Sequence, residues 1–384
     1  MPVGTDLRSA AAAGVATVVA PHPRHAPPGA VLSLAIDGDV QVAAAGVADL
    51  ASGEPATVAH AQDLASVGKV LTTLAVHVLA STGALAPTDP LSRFLGERAG
   101  AHADATVDEL LRHRAGVREW WPLYLDPAAR ADPLAAALRM QPRGAAGVRR
   151  YSDLGMMAVG GVVAKAAGMP FADAVQQLVL EPLDARSIAP SVPGGRAGSL
   201  TGPDGDAIER EMVRSGDPYP LGPDLGDRAF AWRTAPLRAS IADGNAHHAF
   251  GAPAGHAGWF GDARGLDRVA AAIARPELLG IEPAVAAGLR DARDPEQGQG
   301  VRHYRVRWGG AERLLLGHPG FTGAFVGAAA ASGGEPELRV VLLANRLHGD
   351  PAPSRTALAD VETLWRGALA AADRILHPTS GGRP

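Results

Sequence analysis

Ser66 and Lys69 stand three residues apart where an apolar helical stretch begins, and they are the two side chains of this 384-residue chain best suited to covalent chemistry. A three-residue spacing puts both on one face of a single helical turn. A serine at a helix start lies where unpaired backbone N–H groups and the positive end of the helix dipole collect, which favours an oxyanion forming beside it. The lysine is the sharper signal, because Lys69 and Lys165 are the only lysines against 34 arginines. Arginine stays charged, whereas a desolvated lysine can approach neutrality and accept a proton. A lysine one turn beyond a serine therefore reads as selected for its chemistry. A capping serine followed by a surface lysine has the same short spacing, so the pair needs support from elsewhere in the chain.

The elements that must position this pair are legible from periodicity. Val70, Leu71, Leu74, Val78 and Leu79 give the helix one apolar face, and Gly83 ends it. Ahead of it, apolar runs at 30–36 and 40–46 flank an Asp37-Gly38-Asp39 turn and predict a β-hairpin. Residues 106–186 are mostly helical in pattern, with a capping box from Thr106 to Glu109 and a helix from Met156 to Ala167 opened by Ser152-Asp153. Lys165, in the last turn of that helix, suits the dipole and needs no other role. Residues 188–260 are rich in Gly and Pro, and a connection of that length is either a functional loop or disordered. A helix is predicted at 262–273, strands at 302–308, 312–316, 323–331 and 338–343, and a final helix at 354–376. Strands at both ends with helices between predict an α+β fold. Its antiparallel sheet is built from both termini and flanked by helices, with a mostly helical domain inserted. The expected division is a discontinuous sheet domain, 1–75 with 255–384, and a helical domain 76–254 that includes a long irregular loop at 188–254.

Composition narrows the function classes. Hydrophobic content of 47% and charge of 20% describe a globular chain, and a net charge of −4 without basic runs gives no reason for a nucleic-acid partner. The absence of cysteine excludes disulfides, thiol nucleophiles and Cys-based metal sites. No apolar run is long enough to span a membrane. The alanine-rich start carries Asp6 as well as Arg8, so it reads as an amphipathic helix rather than a signal peptide, and a cytoplasmic location is expected. There are 13 histidines but no H-E-x-x-H, and the adjacent His247-His248 point to opposite sides of their chain, so no metal or other cofactor is implied. Oligomeric state is not indicated.

Three further segments bear on the Ser–Lys pair. Arg150-Tyr151-Ser152-Asp153-Leu154-Gly155 puts a tyrosine and an acid just before a helix. Leu316-Gly317-His318-Pro319-Gly320-Phe321-Thr322-Gly323 puts a histidine on a strand, and Pro319 makes that strand an edge or the border of a cleft. Leu110-Leu111-Arg112-His113-Arg114-Ala115-Gly116 marks the start of the helical region. Taken singly, Tyr151 is a core tyrosine and His318 a sheet histidine. As an ordered set of S-x-x-K, Y-x-N and K/H-x-G, the chain resembles the serine β-lactamase and penicillin-binding-protein superfamily, in its class C and family VIII carboxylesterase branch. Gly255-His256-Ala257-Gly258 and Leu342-Leu343-Ala344-Asn345-Arg346 are similar to that family too, so the resemblance covers nearly the whole chain.

The resemblance implies an acyl-enzyme formed on Ser66. Either neutral Lys69 or a Tyr151 phenolate would take the serine proton, with Lys69 and a protonated His318 favouring the phenolate. The oxyanion hole would be the backbone N–H groups of Ser66 and Phe321, and Gly320 would keep side chains away from the acyl group. Two positions depart from the family pattern. Asp153 replaces Asn, which favours a charged Lys69 and Tyr151 as base. His318 stands where β-lactamases generally carry Lys, which is more like the family's esterases, transacylases and D-amino-acid peptidases. The implied function is a serine hydrolase of a small-molecule ester or amide, carboxylesterase-like more than β-lactamase. An acyltransferase using the same intermediate and a catalytically silent module are the alternatives. No G-x-S-x-G offers the α/β-hydrolase route. Trp120, Trp121, Tyr124 and Trp259 either line the cleft or pack the helical region. Arg346 either binds a substrate carboxylate or pairs with an acid. His113 and His256 read as structural, at a helix end and in a Gly-flanked turn.

Overall fold

The structure is a computed structural model that describes residues 4–144, 147–192, 194–221, 230–291 and 293–378. Asp37 and Gly38 both take positive φ, +46° and +89°, as a two-residue hairpin turn requires. They join β1 (Gly29–Ile36) to β2 (Asp39–Asp49), which is followed by the short β3 (Glu54–Pro55). The chain returns to the sheet as β4 (Arg302–Trp308), β5 (Ala311–Pro319), β6 (Phe325–Ala329) and β7 (Leu338–Ala344). The strand order is β3-β2-β1-β7-β6-β5-β4, antiparallel throughout. Ala30 lies opposite Ala344, so the first long strand and the last are central neighbours. β5 is an interior strand, and its pairing with β4 ends at Gly317 opposite Arg302. Pro319 lies past that point, so of the two places open to it the strand takes the border of a cleft.

Six helices matter to the site and its frame: α1 (Gly4–Val19), α2 (Gly68–Ser81), α3 (Asp153–Ala167), α4 (Ala207–Ser215), α5 (Ala263–Ala274) and α6 (Val361–Leu376). The sheet is covered on both faces, so its central strand is buried throughout and apolar except at Arg339, which pairs with Asp267. Leu338, Val340 and Leu342 of β7 join α1 and α6 in one core. Val341 and Leu343 join α2, α3 and α5 in the other. In the first core Trp365 stacks on Phe325 with ring centres 4.3 Å apart and planes 6° from parallel. Burying a side chain of this size contributes about 1.5–3 kcal/mol. In the helical region Ser152 caps α3 by accepting the Gly155 N–H at 2.8 Å, and Thr106 and Glu109 form the expected capping box. α3 passes close to Gly255, because a Cβ at Gly160 would lie 3.0 Å from the Gly255 Cα. No single described helix is long and apolar enough to cross a membrane.

Two expectations shift. The final helix begins at Val361 rather than 354, because the Asp360 side chain accepts the Glu362 and Thr363 N–H groups and caps it there. The 188–254 stretch, expected as an irregular loop, carries α4 and a pair of short strands, Thr201–Asp204 with Pro236–Arg238. α4 buries only Val213, and its apolar side, Ile208, Met212 and Val213, is two turns long within a Gly- and Pro-rich stretch. Residues 222–229 of that stretch lie outside the described residues.

Asn345 ties the sheet's centre to its neighbour strands. Its Oδ1 accepts the Gly29 N–H at 2.7 Å, and its Nδ2 donates to Val47 O and Ala48 O at 3.1 and 3.2 Å. Asn345→Leu leaves those buried groups unpaired, and urea unfolding should show a loss of about 2–3 kcal/mol.

Candidate active site

The nucleophile turn is built by local hydrogen bonds. The Asp63 carboxylate accepts the Ala65 N–H at 2.7 Å, and Ala65 holds a φ of +44°, a left-handed conformation unusual outside glycine. Ala65–Val67 then form a 3-10 turn that runs directly into α2. The Thr322 hydroxyl donates to Asp63 O at 2.7 Å, which pins the end of β5 against this turn. Gly320 is required by that approach, since a Cβ there would stand 2.4 Å from Leu64 O. Gly320 also lines the cavity, where room for an acyl group is the other expected reason for it.

Lys69 is completely buried, and its Nζ faces three acceptors. It donates to Ser66 Oγ at 2.7 Å and to His256 O at 3.2 Å, and it forms an ion pair with Asp153 Oδ1 at 2.8 Å. Burial disfavours the ammonium, but Asp153 and Tyr151 outweigh it and raise the lysine's pKa. The Tyr151 hydroxyl interacts with both Lys69 and Ser66. Burial pushes the phenol's pKa up, against the pull of Lys69 and with a further push from Asp153. Tyr151 is held in place by His113, whose ring lies 4.7 Å away and whose Nδ1 accepts the Ser152 N–H at 3.2 Å. The ammonium, the phenol and the serine hydroxyl thus converge, and together they can move a proton on and off Ser66.

His318 reaches this pocket with a different charge from the one expected. Its ring is 5.9 Å from Tyr151, and its Nδ1 faces Pro319 O at 2.7 Å. A carbonyl only accepts, so Nδ1 carries the proton. Burial, followed by the nearby Lys69 and Arg302 charges, holds the imidazole well below its ordinary pKa. A protonated His318 is therefore not the cation beside Tyr151. Arg302, which the sequence did not single out, has its guanidinium 5.5 Å from the Tyr151 ring centre. Only the β4–β5 register, with Arg302 opposite Gly317, brings it here.

A cavity of about 430 Å³ opens over Ser66, and Tyr151, Asp153, His318, Gly320 and Phe321 line it. The Ser66 and Phe321 N–H groups have no acceptor among the described residues, as an oxyanion hole needs. Of the aromatic candidates, Trp120 lines the cavity and stacks on Tyr219 at 5.9 Å. Trp121 instead lies under the Arg118 guanidinium, Tyr124 donates to Glu209 at 2.6 Å, and Trp259 is buried in the core. Arg346 lines the cavity wall, its Nη1 donating to Phe321 O at 2.7 Å and its Nε to Ala359 O, and among the described residues no acid forms an ion pair with it and no acceptor meets its Nη2. The far wall comes from the 201–243 stretch through Ile208, Met212 and Asp243, which sequence pattern gave no means of assigning.

Solved structures share this architecture. A class C beta lactamase from Rhodobacter sphaeroides matches with a TM-score of 0.67 and 19% identity, over 95% of this chain and 98% of its own. EstCE1, described as a hydrolase with promiscuous acyltransferase activity, matches with a TM-score of 0.65 and 19% identity, over 97% of this chain and 99% of its own. The D-amino acid amidase from Ochrobactrum anthropi SV3 matches with a TM-score of 0.63 and 17% identity, over 97% of both chains. No curated protein sequence matches the chain. The model of the Beta-lactamase family matches residues 10–364, and the chain belongs to that family of serine-type hydrolases.

Proposed function

We propose that this protein is a serine hydrolase that forms an acyl-enzyme on Ser66 from a small ester or amide, with carboxylesters preferred over β-lactams. The observation that carries the reading is the 2.7 Å contact between Lys69 Nζ and Ser66 Oγ inside a cavity that Tyr151 also lines. With all three of its acceptors in place, Lys69 is a proton donor at rest, so Tyr151 is the base. The Tyr151 phenolate takes the Ser66 proton as Oγ attacks the carbonyl. It returns that proton to the leaving alkoxide or amine as the scissile bond breaks. Water then attacks the acyl carbon, its proton passing through Tyr151 to Ser66 Oγ. The Ser66 and Phe321 N–H groups hold the oxyanion in both steps. The ester preference is supported by the cavity wall, in which a neutral His318 and the exposed Phe321 ring stand. Such a wall suits an uncharged group better than a ring carboxylate.

Wild-type protein should turn over p-nitrophenyl acetate or butyrate and leave nitrocefin largely intact, with Ser66→Ala abolishing turnover. Faster nitrocefin than ester hydrolysis would reverse the preference. Release of nitrophenol only when an alcohol is supplied would make the protein an acyltransferase.

Lys69→Arg keeps the charge but exchanges a tetrahedral ammonium for a planar fork, which cannot meet three converging acceptors. It should cost roughly 10²-fold or more in kcat, as loss of a proton-transfer group does. An active Lys69→Arg enzyme would remove Lys69 from the mechanism.

Because the Tyr151 pKa is raised, the phenolate is a minor species at neutral pH and grows with pH. The rate, kcat/KM, should therefore climb about tenfold per pH unit below that pKa. Asp153 raises both Tyr151 and Lys69. Asp153→Asn should accordingly move the limb to lower pH, and a limb that stays in place would count against Tyr151 as base.

A further inference from the structure

His256 carries a charge that its surroundings impose. Its Nδ1 faces Ala254 O at 3.2 Å and its Nε2 faces Asp243 Oδ1 at 2.9 Å. A carbonyl and a carboxylate both accept only, so both ring nitrogens donate and the side chain is an imidazolium. It is 1% exposed, so this is an ion pair that the fold buries at a cost and without an evident packing need. Burial opposes the imidazolium, but Asp243 outweighs it and raises the pKa.

The pair closes a ring of contacts around the nucleophile. Lys69 Nζ donates to His256 O at 3.2 Å, and the His256 ring holds Asp243. The neighbouring Ala242 N–H donates to Asp63 Oδ2 at 2.6 Å. Asp63 Oδ1 accepts the Ala65 N–H at 2.7 Å, and the next residue is Ser66, whose Oγ accepts from Lys69 at 2.7 Å. Every link is a hydrogen bond, an ion pair or a peptide bond. The strained left-handed Ala65 lies inside this ring, held by Asp63 on one side and by α2 on the other. Gly255 and Gly258, with φ of +79° and +104°, set the tight turn that aims the His256 carbonyl at Lys69 while its ring turns to Asp243.

We propose that Asp63, Asp243 and His256 are positioning residues that hold Ser66 and Lys69 in register for acylation. This rests on the hydrolase reading and adds to it Asp63 and His256, which do not line the cavity, and Asp243, whose Oδ1 is turned to the His256 ring at the cavity wall. They act through the direction of one ammonium and the backbone of one turn.

The test uses the full-length protein with His256→Gln, Asp243→Asn, Asp63→Asn and the His256→Gln/Asp243→Asn double variant. With p-nitrophenyl butyrate, each single variant should lose about 10- to 100-fold in kcat, as misplacement of reacting groups does, with KM within about twofold of wild type. Labelling of Ser66 by a fluorophosphonate should slow by the same factor. The double variant should be no worse than the poorer single one, because both break one ring. Folded variants with wild-type kcat, changed only in melting temperature, would overturn the proposal. Should the variants not fold, nitrogen-15 spectra of wild-type His256 decide it. Both ring nitrogens protonated at neutral pH is expected, and a single N–H would overturn it. A wild type that no fluorophosphonate labels at Ser66 would instead overturn the hydrolase reading, and the nitrogen spectra would still judge the ring.

Discussion

A lysine ammonium shut off from water must find all its acceptors inside the protein, and the arrangement of this molecule follows from that demand at Lys69. An unpaired buried charge costs far more than a marginally stable fold can bear, so the acceptors have to be in place whenever the chain is folded. They come from three separate parts of the sequence: the turn at Ser66, the first residue of α3 at Asp153, and the Gly-flanked bend at His256. The sheet side supplies the lysine, the helical region supplies the carboxylate, and the bend before α5 supplies the carbonyl. The same contacts that satisfy the charge therefore bring the parts of the cavity together.

His256 and His318, both buried near this point, show how surroundings assign charge to one side-chain type. His256 faces a carboxylate and a carbonyl, which hold a proton on each nitrogen. His318 has one carbonyl at Nδ1, no partner at Nε2 among the described residues, and Lys69 and Arg302 close enough to repel a proton. The cations beside Tyr151 are then Lys69 and Arg302, and His318 is a neutral wall. The carboxylate at Asp153 has the opposite effect, favouring the ammonium over the neutral amine and leaving the proton work to the phenol.

Much of the frame was legible before any coordinates. The Asp37-Gly38 turn, the capping box at Thr106, the cap at Ser152 and the alternating strands near the C-terminus are encoded within a few residues of one another, and local sequence is enough to read them. What misled was also local. α6 starts at Val361 rather than at 354 because Asp360 caps it there, downstream of where the helical pattern begins. α4 lies in a Gly- and Pro-rich stretch and buries only Val213 of its nine residues. At Gly320 the nearest obstacle to a side chain is the Leu64 carbonyl, a neighbour that only the folded chain creates.

Sequence by itself settled which reactive groups the chain owns and which of them must be adjacent, because Ser66 and Lys69 share a helical turn and their contact is fixed by a three-residue spacing. It also settled the order of the motifs and the antiparallel sheet made from both ends. It could not settle charge. Whether Lys69, Tyr151, His256 and His318 hold or lack a proton depends on burial and on partners brought in from distant positions, Asp153, Asp243 and Arg302 among them. Those partners are a property of the packed chain, and desolvation exists only once it is packed.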